Sequence, residues 1–117
     1  MKRASAEAFA EVVHAAGGLV YQAHPYRTRD YIRKPFPLEC LDQLDGIEVY
    51  NAGNEPEWNE SARIFAEERG IPCVAGSDGH SVASAGRAGI AVCERIGDNE
   101  ELIRILKSGE YTIIVNE

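Results

Sequence analysis

Side chains that could hold a metal stand at the ends of successive apolar segments of this sequence. His24 ends the first such segment, and Asp78 and His80 follow the third. Imidazole nitrogens and a carboxylate oxygen suit Zn, Mn or Fe. A metal held by these groups would acidify bound water into a nucleophile and neutralise charge on a phosphoryl oxygen. On spacing alone, turn chemistry around Asp78 and a hydrogen-bonded His24 stay open as alternatives.

The second apolar segment carries two more polar side chains. Side chains alternate along a strand, so Glu48 and Tyr50 are expected on one face. A carboxylate is costly to bury unpaired, so Glu48 would approach a metal, orient a ligating histidine or meet a cation. We favour the orienting role. Asn51 is a candidate for holding substrate or water, whereas Asn54 is predicted to cap the next helix.

A basic loop follows His24 in a chain whose net charge is -7 and whose pI is about 5.0. This acidity argues against a general nucleic-acid surface, because such surfaces draw most of their affinity from basic residues. Within the loop, Arg27 and Arg29 are candidates for binding a substrate phosphate, and Arg87 is a third. The loop also contains Arg33 and Lys34. A solvated loop without a ligand is the open alternative.

The elements that must position these residues follow from the apolar periodicity. Helices are predicted at residues 5–16, 55–69 and from Asp98 to Gly109, strands at 19–24, 46–50, 73–77, 88–92 and 111–115, and short helical turns around 38–44. Alternating strands and helices indicate an α/β fold with a largely parallel sheet, open or closed into part of a barrel. Such sheets collect functional groups at the C-terminal ends of their strands.

Length and composition suit one domain spanning residues 1–117. The sequence shows neither a signal-peptide pattern nor an apolar run of membrane-spanning length, so we expect a cytoplasmic protein without membrane contact. Its three cysteines lack the spacing of a disulfide framework or a zinc knuckle. His14 lies among the apolar residues of the first helix and is interpreted as a surface or partly buried histidine rather than a ligand.

Three motifs give the chain a resemblance to a known family. They are Ala23-His24-Pro25, the segment 46–51 (GIEVYN) and the segment 74–80 (VAGSDGH). In this order they resemble the PHP (polymerase and histidinol phosphatase) family of metal-dependent phosphoesterases. The resemblance implies that His24, Asp78 and His80 bind a divalent transition metal. It also implies a fold that is part of a PHP-type β/α barrel, with mostly parallel strands, and hydrolysis of phosphomonoesters or phosphodiesters.

The chain departs from the family at its beginning. Family members start with an H-x-H motif and further ligands, and nothing of that kind precedes His24 here. The chain is therefore predicted to be the C-terminal half of a PHP-like domain, with weak or no activity alone. It is either a fragment of a longer protein or a divergent chain with a reduced site. Expected partners are a phosphorylated small molecule or an oligonucleotide end, and a second copy or a missing N-terminal half. The alternatives are a non-catalytic assembly module and a hydrolase of another ester or amide.

Overall fold

A computed structural model describes residues 5–29, 32 and 36–116 of the chain. The predictions that concern Arg33 and Lys34 lie outside these residues. None of the described helices combines the length and the apolar character needed to cross a membrane.

Three α-helices form where the periodicity predicts them, and residues with recognisable capping chemistry bound them. The helices are α1 (Ala6–Ala15), α2 (Pro56–Arg69) and α3 (Asn99–Ser108), and a short 3-10 helix spans Leu41–Gln43. The Ser5 hydroxyl accepts the Ala8 N–H at 3.1 Å and caps α1. At α3, the Asp98 carboxylate accepts the Glu101 N–H at 2.9 Å, which confirms the predicted N-cap. Gly70 ends α2 in the left-handed conformation, as the glycine-then-proline pattern indicates.

In the described part of the chain, five strands form two separate sheets. The strands are β1 (Tyr21–Gln22), β2 (Gly46–Asn51), β3 (Cys73–Gly76), β4 (Ala88–Val92) and β5 (Tyr111–Val115). The first three pair in parallel in the order β1-β2-β3, whereas β4 and β5 pair antiparallel. Among the described residues no barrel closes. The antiparallel pairing of β4 with β5 departs from the predicted, largely parallel sheet. The apolar residues of a strand do not indicate whether the neighbouring strand is parallel or antiparallel.

The core lies between β2 and α2. Ile47 and Val49 are buried on β2, and Ala62 and Ala66 are buried on α2. Small alanines let the helix approach the sheet closely, and Phe65 packs against the same cluster. Ala62, Phe65 and Ala66 therefore lie on the face of α2 that packs against the sheet. This packing fixes the end of β2, where the polar residues begin.

A side-chain hydrogen bond joins the two sheets. The Tyr111 hydroxyl on β5 donates to the Cys73 carbonyl on β3 at 2.7 Å. Burial raises the pKa of Tyr111 above its ordinary value. The two-stranded sheet is thereby tied to the parallel sheet that carries the candidate site.

Candidate functional site

The candidate site lies at the C-terminal ends of the three parallel strands. His24 follows β1, Asn51 ends β2, and Asp78 follows β3. Parallel strands bring their C-terminal ends to one edge of the sheet. Residues separated by more than 50 positions in the sequence therefore meet in one network of hydrogen bonds, in which Asn51 contacts Asp78 directly.

A tight turn after β1 directs Arg27 back toward this edge. The Arg27 N–H donates to the His24 carbonyl at 3.1 Å, with the buried Pro25 at the second position of the turn. Proline favours that position because its ring fixes φ near the required value. Arg27 as a whole residue is 8% exposed. The turn thus places Arg27, a residue of the basic loop, in a buried position.

An irregularity in β2 changes which side chains share a face. The pairing between β2 and β3 shifts register between Glu48 and Tyr50. Such bulges re-aim the side chains beyond them. Asn51 Nδ2 donates to Glu48 Oε1 at 2.8 Å, so Asn51 stands beside Glu48 across the irregularity. Strict alternation predicts Tyr50 as the neighbour of Glu48 and does not predict this contact.

Asp78 forms an ion pair with Arg27. Arg27 Nη2 lies 2.8 Å from Asp78 Oδ2, and the same carboxylate oxygen accepts from Asn51 Nδ2 at 3.2 Å. The Asp78 side chain is 25% exposed and that of Arg27 is 10% exposed. A charge-assisted bond between such weakly exposed groups is stronger than an ion pair on the surface. In this structure Arg27 therefore neutralises the Asp78 carboxylate.

Asn51 is the central residue of the network. It is 2% exposed, and its Oδ1 accepts from Arg27 Nη2 at 3.1 Å and from the Gly53 N–H at 2.8 Å. Its Nδ2 donates to the Glu48 and Asp78 carboxylates. Asn51 Nδ2 thus lies between the Glu48 and Asp78 carboxylates. Asn51 Oδ1 binds the Arg27 guanidinium and the backbone of the loop after β2.

Glu48 also fixes the backbone at His24. Glu48 Oε1 accepts the His24 N–H at 3.0 Å. Glu48 thus binds the main chain of His24 in this structure, and its predicted role in orienting a ligating histidine side chain stays a prediction. A Cβ at Gly76 would lie 2.8 Å from Glu48 Oε2, so glycine at this position leaves room for the carboxylate.

Two residues of the site have unusual backbone conformations. His24 and Asp78 are the non-glycine residues with positive φ in the described chain, at 27° and 51°. His24 also precedes a proline, which further restricts its backbone. Conformations of this kind cost about 1–3 kcal/mol and persist where the surroundings hold them. The bonds at Glu48 and Arg27 supply that support, and such strain clusters at functional sites.

The ion pair predicts how stability responds to acid. Hydrogen bonding to Arg27 holds the pKa of Asp78 below its usual value, with smaller contributions from Asn51 and His24. A carboxyl whose pKa is lower in the folded state stabilises the fold above its unfolded value of about 3.9, and this stabilisation is lost as pH falls through the folded pKa. We therefore expect the wild type to lose more free energy of unfolding between neutral pH and about pH 3 than the Asp78→Asn variant. Urea titrations at each pH measure this difference, and parallel acid profiles would contradict it.

The three residues predicted as metal ligands do not form a metal site in this arrangement. No group of three or more His, Cys, Asp or Glu side chains in the described part of the chain is placed to hold a metal ion. His80 is exposed, and its Nδ1 lies 3.0 Å from the Asp78 carbonyl oxygen. Asp78 is paired with Arg27. The residues therefore do not fit a resident metal as they stand, and their role as ligands stays a prediction.

The residues predicted to bind phosphate occupy three different surroundings. Arg27 is buried in the network. Arg29 lies on the surface with its guanidinium 4.6 Å from the centre of the Trp58 ring. Arg87 is exposed just before β4, where its carbonyl accepts the Asn116 N–H at 2.8 Å. The structure thus brings one of the three to the site, and phosphate binding by any of them stays a prediction.

Two asparagines play a part that the sequence pattern did not reveal. Asn54 does not cap α2, whose N-cap is Glu55, and the capping prediction is wrong. Asn54 instead accepts from Arg27 Nε at 2.9 Å and donates to Asn59 at 2.9 Å. Asn59, in the first turns of α2, exchanges two hydrogen bonds with the backbone of Asn51. The one signal in the sequence is the density of asparagine between residues 51 and 59.

The chain matches one family model. Residues 56–111 match the model described as PHP-associated (PHP_C). The match covers just under half of the chain and includes Asp78 and His80, while His24 and Asn51 lie before it. Neither the comparison with curated proteins nor the one with solved structures gives a match.

The match agrees with the order of the motifs. The segment 74–80, on which the resemblance to the PHP family depends most, lies inside the matched residues. The match is also consistent with the C-terminal region of a PHP protein, as the motif order predicts. The match over residues 56–111 thus confirms the predicted similarity to the C-terminal region of PHP proteins.

Proposed function

We propose that this chain is a PHP-type half-domain, with the architecture of part of a β/α barrel, that contributes residues to a phosphoesterase site without completing it. The observation that carries the proposal is the network in which Asn51 and Asp78, from the ends of two parallel strands, are joined by hydrogen bonds. Ligands of parallel α/β sheets bind at this edge. The PHP-associated match supports the same assignment.

The proposed substrates are phosphomonoesters or phosphodiesters, as a phosphorylated small molecule or an oligonucleotide end. Arg29 supports this class, because it is exposed on the loop that follows His24 in an otherwise acidic chain. Hydrolysis of such esters by a PHP-type site calls for a divalent transition metal. We propose that ligands from outside the described residues, on an N-terminal half or a second copy, are needed for that metal to bind.

An assay of the isolated chain tests this proposal. With p-nitrophenyl phosphate or bis(p-nitrophenyl) phosphate and added Mn²⁺ or Zn²⁺, we expect at most a weak rate, because the described residues do not assemble a metal group. Any rate above the metal-only control should disappear in the His80→Ala variant. Fast hydrolysis that depends on His80 would contradict the incomplete site. A rate that His80→Ala leaves unchanged would remove His80 from the proposal.

A non-catalytic assembly module is the second candidate function. The Arg27–Asp78 ion pair favours it, because the carboxylate that the resemblance implies as a ligand is already neutralised within the chain. A complete absence of hydrolysis, together with self-association, would favour this candidate. If the metal-free protein sediments as a stable monomer, self-association is no longer part of this second candidate function.

A further inference from the structure

The cation in contact with Asp78 in the described structure is a side chain of the chain itself. Arg27 Nη2 lies 2.8 Å from Asp78 Oδ2, and the Arg27 residue is 8% exposed. A guanidinium stays charged at every pH at which the protein folds. Asp78 therefore has a permanent positive partner that does not depend on any dissolved ion.

The remaining contacts of Arg27 hold it in this position. Its Nε donates to Asn54 Oδ1 at 2.9 Å, and its Nη2 also donates to Asn51 Oδ1 at 3.1 Å. Both asparagines are themselves fixed, since Asn59 bonds to the Asn51 backbone and to the Asn54 side chain. A Cβ at Gly53 would lie 3.5 Å from Arg27 Nη2, so the loop after β2 closes directly over the guanidinium. Arg27 is thus a built part of the site and not a loop side chain that happens to touch it.

A divalent metal at Asp78 would have to share this space. Asp78 Oδ2 already accepts from both Arg27 and Asn51. A metal bound to the same carboxylate would lie within a few ångströms of the buried guanidinium, and like charges that close in a weakly solvated site repel strongly. If a metal displaced Arg27, the guanidinium would lose its bonds to Asp78, Asn51 and Asn54. The side-chain oxygens of the two asparagines would then need new hydrogen-bond donors.

We infer that Arg27 is the resident cation of this site, and that Arg27 and a divalent metal compete for Asp78. The inference starts from the disagreement between the ligand role that the resemblance implies for Asp78 and the partner that the structure gives it. It concerns equilibrium binding and does not depend on whether the chain hydrolyses phosphoesters. Its failure and the failure of the proposed function can therefore be told apart.

The experiment measures Mn²⁺ binding by titration calorimetry and the thermal midpoint with and without Mn²⁺, in the full chain. We expect weak Mn²⁺ binding by the wild type and no rise in its midpoint. The Arg27→Gln variant should unfold at a lower temperature but bind Mn²⁺ at least about tenfold more tightly, because the competing charge is gone. Mn²⁺ should raise the midpoint of this variant, because a ligand that binds only the folded state stabilises it.

The matched control is the double variant Arg27→Gln with Asp78→Asn. It differs from Arg27→Gln only by the isosteric change of Asp78 to asparagine, and it should lose the Mn²⁺ binding that Arg27→Gln gains. Wild-type protein that binds Mn²⁺ through Asp78 as tightly as the Arg27→Gln variant would overturn the inference. A folded Arg27→Gln variant with no gain in Mn²⁺ affinity would overturn it as well.

A second measurement keeps the inference testable if Arg27→Gln does not fold. The nuclear magnetic resonance signal of the Arg27 Nε–H is followed in the wild type with one equivalent of Mn²⁺, which broadens nearby protons. The signal should keep its intensity, and it should shift in the Asp78→Asn variant because the ion pair is lost. Broadening by Mn²⁺ that leaves the signal at its ion-paired position and disappears in Asp78→Asn would show metal and arginine together at Asp78 and overturn the competition.

Discussion

Replacing Asn51 with alanine is expected to lower the free energy of unfolding by about 3 kcal/mol. The side chain is 2% exposed and exchanges four hydrogen bonds, with Glu48, Asp78, Arg27 and the backbone of Gly53. Truncation removes one hydrogen bond from each of these partners in a site that water enters poorly, and each bond lost there without replacement carries a desolvation cost. Urea-induced unfolding followed by circular dichroism measures the loss.

The control for this prediction is Asn99→Ala. Asn99 is exposed at the first residue of α3, so its truncation should change stability by no more than about 0.5 kcal/mol. Equal losses at the two positions would contradict the central role of Asn51. The Asn51→Asp variant adds a further check, because it puts a third carboxylate beside Glu48 and Asp78. It should be unstable at neutral pH and regain stability on mild acidification, when a carboxylate takes up a proton.

Replacing Gly46 with alanine is the second change with a large expected effect. A Cβ at this position would overlap the Pro72 carbonyl oxygen and would lie 2.9 Å from Tyr21 Cε1. The carbonyl cannot move freely, because it accepts the Ile47 N–H at 3.0 Å where β2 meets β3. We expect a loss of about 2–4 kcal/mol, because relief of the clash requires the strands to separate. Thermal and urea unfolding both report this loss.

Gly89 provides the matched control for Gly46. It also lies within a strand, but a Cβ built there meets nothing within 4 Å. Gly89→Ala should therefore leave stability nearly unchanged or raise it slightly, because alanine has fewer unfolded conformations than glycine. A Gly46→Ala protein as stable as the Gly89→Ala protein would show that the approach of Pro72 to Gly46 is not tight in solution.

The sequence by itself determined where the helices and strands lie and which family the chain resembles. Apolar periodicity placed the three helices, and capping residues such as Ser5 and Asp98 marked where two of them begin. The motif order indicated the PHP relation that the match over residues 56–111 supports. These features are local, since they depend on residues within one or two turns of each other. The direction of the β4–β5 pairing is not local, and the sequence did not predict it.

Only the tertiary structure decided what the polar residues contact. His24, Asp78 and Glu48 were recognisable from their types, but their partners depend on which strand ends meet. The irregularity in β2 turns Asn51 toward Glu48, and the turn at Pro25 carries Arg27 into the sheet edge. From the sequence, Arg27 was a candidate phosphate-binding residue of the basic loop, with a solvated loop as the alternative. Its pairing with Asp78 arises from the turn at residues 24–27 and the shift of register in β2, and neither leaves a periodic signal that residue spacing could reveal.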